Sequence, residues 1–280
     1  FDSTRWHKYM KSIANYGARH DRMNITTKGF ENLPIPFPSQ TEQNKIASFL
    51  TSVDKKINLL TKKKALLETY KKGVMQKIFS GEIRFKDEFR KIYAVWEKKK
   101  LGELTFKVGK KNKENIQLPI YSINNQEGFR PQFEQFEGLD SNERGYDISL
   151  YKIVDSKTFA YNPARINVGS IGYSNDLNQI IISSLYVCFK TTEQLQDKYL
   201  IAYLKSHRFN KDILRYQEGG VRQYLFYENF SLIPISLPSI KEQNKIASFL
   251  SSIDKKIELV DFQLERNKEF KKGLLQQMFV

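Results

Sequence analysis

A block of 47 residues occurs twice in this chain, offset by 200 positions. Residues 33–79 and residues 233–279 are identical at 24 positions without a gap, and the nine residues from Glu42 to Leu50 (EQNKIASFL) recur unchanged from Glu242 to Leu250. That period is far too long for a solenoid. It implies two large units, each closing on the same segment, and hence a pseudo-twofold architecture. Such an architecture suits a partner that is itself twofold or bipartite.

The repeated segment reads as a helix with marked ends. Ser39-Gln40-Thr41-Glu42 and Ser239-Ile240-Lys241-Glu242 both fit a capping box, in which the serine accepts from an orphan amide and the glutamate reaches back to the serine amide. Pro38 and Pro238 hold the incoming chain extended, and Ser80-Gly81 supplies a stop after Phe79. Forty residues at 1.5 Å each give a helix of roughly 60 Å. Apolar residues recur in a 4-3 alternation: Ile46, Leu50, Val53, Ile57, Leu60, Leu67, Val74 and Ile78 in the first copy. The second has Ile246, Leu250, Ile253, Ile257, Val260, Leu264, Leu274 and Met278. This is a heptad seam, interrupted by Lys64 and Lys71 and by Asn267 and Lys271. One such helix cannot bury its seam alone. Two in one chain can bury each other's, and an antiparallel pair with the globular units at opposite ends is the expected solution. Gly73 and Gly273 stand in register within the helices. Either they permit a close backbone approach or kink, or they are a duplicated, tolerated residue.

Residues 82–91 form a charged connector, and an aromatic and β-branched domain follows from Trp96 to about Phe230. Strand-like runs lie at 119–123, 151–161 and 180–189, and a helical stretch at 194–216. The expected fold class is α+β, with a β-sheet and packed helices beside two long antiparallel coiled-coil helices. Residues 16–32 echo residues 216–229. Each has a glycine-containing turn, an arginine (Arg19, Arg222) and an aromatic-Glu-Asn tripeptide. Residues 1–32 therefore read as the tail of a second copy of that domain. Phe1 is not a natural start, so the expectation is a chain that lacks, or does not show, its N-terminal part.

Composition narrows the partner. The chain has 46 Lys and Arg against 31 Asp and Glu, a net charge of +15, and a pI near 9.6. This favours a polyanion, with nucleic acid foremost, although lysine-rich helix faces can also be plain solvated surface. No apolar run is long enough to cross a membrane, and no secretory signal opens the chain. The single cysteine, Cys188, lies in the apolar run LYVCF, as a buried strand residue would; a disulfide framework is excluded and a cytoplasmic location expected.

Three groups of residues carry a resemblance to a known family: the doubled PS/EQNKIASFL segment, the VWEKKKLGEL opening from Val95 to Leu104, and YNPARINVGSIGYS (Tyr161–Ser174) followed by ISSLYVCF (Ser183–Phe189). Together they resemble the specificity subunit of Type I restriction-modification systems. That family alternates two target recognition domains with two helical spacers. The resemblance implies the end of a first recognition domain at 1–32, a first spacer at 33–82, a second recognition domain at 90–232 and a second spacer at 233–280. The family departs from this chain at the N-terminus, where most of the first recognition domain is absent. It implies a non-catalytic subunit that reads one half of a bipartite double-stranded DNA target. Its helices would set the gap between half-sites, and methyltransferase and restriction/translocase subunits would assemble with it.

The residues themselves add little catalytic chemistry. His7, His20 and His207 have no companion at metal-ligand spacing, no phosphate-binding loop is present, and neither metal nor cofactor is expected. Asn162-Pro163-Ala164-Arg165 only partly echoes an amino-methyltransferase tetrad and reads as a turn. Two glycine-punctuated loops carry the expected DNA contacts. The first offers Tyr161, Asn162, Arg165, Asn167, Ser170, Tyr173 and Ser174, with Gly169 and Gly172 allowing close backbone approach to phosphate; the second offers Arg222, Gln223 and Tyr224. Arginine suits a guanine edge and asparagine an adenine edge. Lys107, Lys110, Lys111 and Lys113 suit phosphates, which position without specifying. Two other classes stay open: a DNA methyltransferase or nuclease with a fused recognition domain, and a coiled-coil scaffold that binds no DNA.

Overall fold

The computed structural model describes residues 4–16, 23–32, 37–135 and 138–278. It divides into two compact units, Phe1–Tyr70 with Ile253–Val280, and Lys71–Ser252. Two long helices, Gln40–Phe79 and Ile240–Met278, contribute to both.

In the first unit the helix Thr4–Ile13 is followed by a two-stranded ribbon, Asn15–Tyr16 against Met23–Asn24, and a short helix, Thr27–Glu31. Thr26 caps that short helix through the Gly29 amide, and the Tyr9 hydroxyl donates to the Gly29 carbonyl at 3.1 Å. The two long helices run antiparallel here. Lys64 Nζ reaches Asp261 at 2.5 Å and Lys271 Nζ reaches Asp54 at 2.6 Å, so one residue number rises as the other falls. Val53, Ile253, Val260 and Leu264 are buried along the seam. Two of the lysine interruptions are thus cross-helix ion pairs. Their long stems cover apolar surface while the charged ends meet carboxylates. The hydrogen bond it donates to Asp261 holds the Lys64 ammonium above its ordinary pKa.

The second unit is built on two sheets. A four-stranded antiparallel sheet runs in the order Ile171–Tyr173, Phe159–Tyr161, Val187–Thr191, Thr105–Val108. A five-stranded sheet runs Lys110–Lys111, Lys152–Val154, Ile180–Ile182, Ile120–Ile123, Phe129–Pro131; its one parallel pair joins 180–182 to 120–123. The sheets share a core of Ile123, Val154, Ile180 and Ile182 from one with Ala160 and Cys188 from the other. Strand alternation turns Phe159, Tyr161 and Phe189 to the opposite face, where Phe159 stacks on Phe189 and both Tyr161 and Phe189 meet Phe230. Cys188 is buried as expected, and burial pushes its thiol up to about 11. The last turn of the first long helix enters this unit through Phe79, whose ring packs on Tyr199 and Tyr203.

Several local expectations change. The run 151–161 is two strands, interrupted at Asp155–Thr158, where Lys157 takes a positive φ of 56°. The run 180–189 likewise breaks at 183–186. The helical stretch 194–216 is two helices, Asp197–Leu204 and His207–Tyr216, because the Ser206 hydroxyl caps the second through the Phe209 amide. Gly73 and Gly273 have open space where a Cβ would stand, which favours the tolerated, duplicated residue over close approach. The serine half of each capping box forms: Ser39 Oγ accepts from the Glu42 amide at 3.3 Å, and Ser239 Oγ from the Glu242 amide at 3.4 Å. The reciprocal glutamate bond does not form at Glu242, whose carboxylate is claimed by Arg84 and Trp96.

Candidate nucleic-acid interface

The two loops singled out in the sequence lie some 60 residues apart and meet in the fold. Asn162 Oδ1 accepts from the Ala164 amide, and the Arg165 amide donates to the Asn162 carbonyl at 3.0 Å, which closes a tight turn around Pro163. The Leu225 amide donates to the Pro163 carbonyl at 3.0 Å and ties the second loop to this turn. The second loop is a narrow hairpin: Glu218 and Tyr224 exchange backbone bonds at 2.9 and 2.8 Å. Gly219, at φ 124°, leaves no room for a Cβ, which would stand 2.3 Å from the Arg222 carbonyl oxygen. Arg222 stands exposed within the turn that this bridge closes.

Between the loops lies an open cleft of about 600 Å³ lined by Asn162, Arg165, Leu185, Arg222, Tyr224 and Phe226. Tyr224 and Phe226 stack at 5.5 Å with their planes 6° apart. Arg165 and Arg222 are exposed. The cleft thus combines two free guanidinium forks with a flat aromatic wall. Forks of that kind bond pairs of acceptors on guanine edges or phosphates. Leu185, exposed beside them, was missed in the sequence because it sits in an apolar run that reads as strand.

The remaining candidates separate. Asn167 is exposed and lines a second open cleft of about 620 Å³ with Asn125, Gln126, Lys205 and Asn210. Lys107, Lys110, Lys111 and Lys113 are all exposed, as phosphate contacts need to be. Lys107 already pairs with Glu228 at 3.2 Å, two residues along the chain from Phe226. Lys152, which the sequence reading passed over, donates from Nζ to the Tyr186 carbonyl. Burial, with Lys107 and Lys111 nearby, lowers its pKa.

Four expected contacts are corrected. Tyr161 is fully buried against Phe189 and Phe230, and burial drives its phenol far above the usual range. Ser170 is buried and donates to the Ile123 carbonyl at 2.9 Å. Ser174 is buried between the Asp155 carbonyl and the Thr158 amide. Tyr173 spends its hydroxyl on Asp197, and burial together with that carboxylate pushes its phenol up. Gln223 is exposed, but its amide nitrogen braces the hairpin by donating to the Gly219 and Gly220 carbonyls. The two glycines also serve the fold. Gly169 ends a 3-10 turn in the left-handed region, and a Cβ on Gly172 would meet the Phe129 amide at 2.9 Å. His20 and Arg19 lie outside the described residues.

The Asn162 turn bears on the methyltransferase alternative, because the asparagine oxygen that would hold a target amine is committed to Ala164. Among the described residues no three His, Cys, Asp or Glu side chains gather as a metal site would require, and no helix is long and apolar enough to cross a membrane.

Known proteins place this architecture. The chain is 27% identical, over 90% of its length, to the type I restriction enzyme MjaVIII specificity subunit of Methanocaldococcus jannaschii, of which it covers 62%. It is 28% identical, over 96% of its length, to the MjaX specificity subunit of the same archaeon, of which it covers 64%. It therefore spans less than two thirds of these relatives. Its fold is similar to that of the HsdS subunit from Thermoanaerobacter tengcongensis, with a TM-score of 0.57 at 17% identity, covering 99% of this chain and 67% of that one. It is also similar to a type I restriction-modification S subunit from M. genitalium, with a TM-score of 0.55 at 17% identity, covering 99% of this chain and 70% of that one. A family model described as the type I restriction modification DNA specificity domain matches residues 4–69 and 88–267, and the chain belongs to that family.

Proposed function

We propose that this chain reads one half of a bipartite DNA target for a Type I restriction-modification complex and takes no chemical step itself. The observation that carries this reading is the meeting of two distant loops. They place Arg165, Arg222, Asn162 and Tyr224 around one cleft, in a unit with exposed lysines on adjacent strands. Guanidinium forks supply base-edge discrimination and lysines supply attraction to phosphates. Asn167 belongs to the same reading through the second polar cleft. The recognition domain then occupies residues 90–232, with spacers at 33–82 and 233–280. Residues 1–32 are the end of a first recognition domain. In support, helix, two-stranded ribbon and short helix follow one another at 4–31 much as helix, bridged hairpin and short helix do at 207–230. The paired helices set the spacing between half-sites, much as dimer geometry does for other DNA readers. Methyltransferase and restriction/translocase subunits are the protein partners.

The test is the methylated motif produced by the reconstituted complex, with duplex binding measured alongside. Arg165→Ala or Arg222→Ala should cost about 1–3 kcal/mol on the cognate half-site and relax the motif there. Lys110→Ala should weaken cognate and random duplex alike and flatten the salt dependence by about one phosphate contact. A motif unchanged in both arginine variants overturns the assignment of readout to this cleft.

A further inference from the structure

Leu185 is an apolar side chain that the fold holds out into water. It is 77% exposed, in the break between the strands Ile180–Ile182 and Val187–Thr191. A lone exposed leucine ordinarily means nothing. Three observations set this one apart. First, its turn is closed locally: Ser183 Oγ accepts from the Leu185 amide at 3.4 Å, and the Tyr186 amide donates to the Ser183 carbonyl at 3.2 Å. Second, the next residue is pinned to the five-stranded sheet. The Tyr186 hydroxyl accepts from the Ile123 amide at 3.3 Å, and part-buried Lys152 donates from Nζ to the Tyr186 carbonyl. Third, Leu185 lines the cleft of about 600 Å³ that also holds Arg165 and Arg222. The same cleft has further apolar surface at Phe226, 42% exposed, and at half-buried Tyr224.

We infer that Leu185 is a specificity-determining residue that packs on the C5-methyl group of a pyrimidine, thymine in unmodified DNA, a role that rests on base reading at this cleft. The chemistry follows from what the major groove presents. Guanine shows two acceptors there, which suit a guanidinium fork, and thymine shows an apolar group, its methyl. All of these stand on the same groove edge, so one surface can meet them together. A surface that reads a methyl needs an apolar side chain, open to solvent before binding, on backbone that is already fixed. Leu185 has each of these properties and shares one cleft with the two forks. A turn ordered in advance also has less freedom to lose on binding.

The probes are labelled duplexes carrying the motif that the reconstituted methyltransferase complex modifies. Each thymine is replaced singly by uracil, which differs only in lacking the methyl, and binding to that complex is followed by anisotropy. With the wild-type chain one replacement should weaken binding about fourfold, the weight of one buried methyl-sized group. Leu185→Ala should bind the thymine and uracil duplexes alike, while Leu185→Met, apolar and of similar size, should keep the preference. Leu185 is exposed, so both variants keep the fold, which circular dichroism checks. A motif without an A·T pair, no thymine whose replacement matters, or a preference that Leu185→Ala leaves intact overturns the inference. Duplexes with 5-methylcytosine in place of cytosine test the other source of the same group. A Leu185-dependent gain there without any thymine effect makes methylcytosine the base read, and the thymine assignment is wrong. The two proposals fail separately. If Arg165→Ala or Arg222→Ala relaxes the motif while thymine and uracil bind alike, the arginines read bases and the leucine does not. If neither arginine variant relaxes it and the Leu185-dependent preference stands, the leucine reads and the arginines do not.

Discussion

The same nine residues, Glu42–Leu50 and Glu242–Leu250, fold identically and live in different surroundings. Both follow a serine cap, and in both the next glutamine donates to the carbonyl of the preceding proline at 2.9 Å. Yet Glu242, Gln243, Ile246, Ala247 and Leu250 are all buried, whereas Glu42 and Ala47 are exposed and Leu50 is half-buried. Helix, cap and register are local properties, and identical sequence reproduces them. Burial is a property of the neighbour. Gln243 shows this directly: its side chain also bonds the Gln196 amide and the Gln194 carbonyl, contacts for which Gln43 has no counterpart among the described residues.

The largest test of this contrast is the glutamate pair. Glu242→Ala leaves a guanidinium and an indole N–H without their acceptor and should cost roughly 3–5 kcal/mol. Glu42→Ala should stay within about 0.5 kcal/mol. Urea unfolding, followed by Trp96 fluorescence in a Trp6→Phe background, measures both, and equal costs would break the comparison. Next is the leucine pair. Leu250→Ala should cost about 2–3 kcal/mol through transfer and cavity terms, and Leu50→Ala nearer 1 kcal/mol because it starts half in water.

Alkaline pH should separate the units further. The Cys188 thiol ionises near 9 in the unfolded chain but keeps its proton to about 11 when folded. Its contribution is therefore intact below pH 9 and is lost as pH rises from 9 to 11, at up to roughly 1.4 kcal/mol per pH unit. Cys188→Ala should remove that part of the decline in pH-dependent urea melts. The smallest effect belongs to the paired helices. Lys271→Glu should lower stability by less than about 1 kcal/mol, because the pair with Asp54 is part-exposed; the added exchange Asp54→Lys should restore it.

Much of the fold can be read in the sequence where the signal is local. Pro38, Ser39 and Ser80-Gly81 mark the first helix to within a residue, and the 4-3 seam identifies the face that pairs. The recognition unit is harder. Its strands come in five- and four-stranded sheets whose partners lie far apart in the chain, and short polar breaks such as Asp155–Thr158 split apparent long strands. The site was half readable. Arg165 and Arg222 stand on glycine- and proline-bounded turns, which the sequence shows. Ser170 and Ser174 stand in the same loop and look equally available, but each is turned inward by a carbonyl that only the folded sheet supplies.

By itself the sequence determined the doubled helix, its caps and its seam, because these depend on residues within a few positions of one another. It also determined the basic charge that favours a polyanion. Only the tertiary structure decided which of two identical carboxylates is buried, which of the loop side chains face solvent, and that Asn162–Arg165 and Arg222–Phe226 share one cleft. Those outcomes depend on contacts between residues scores of positions apart, whose geometry no local pattern encodes.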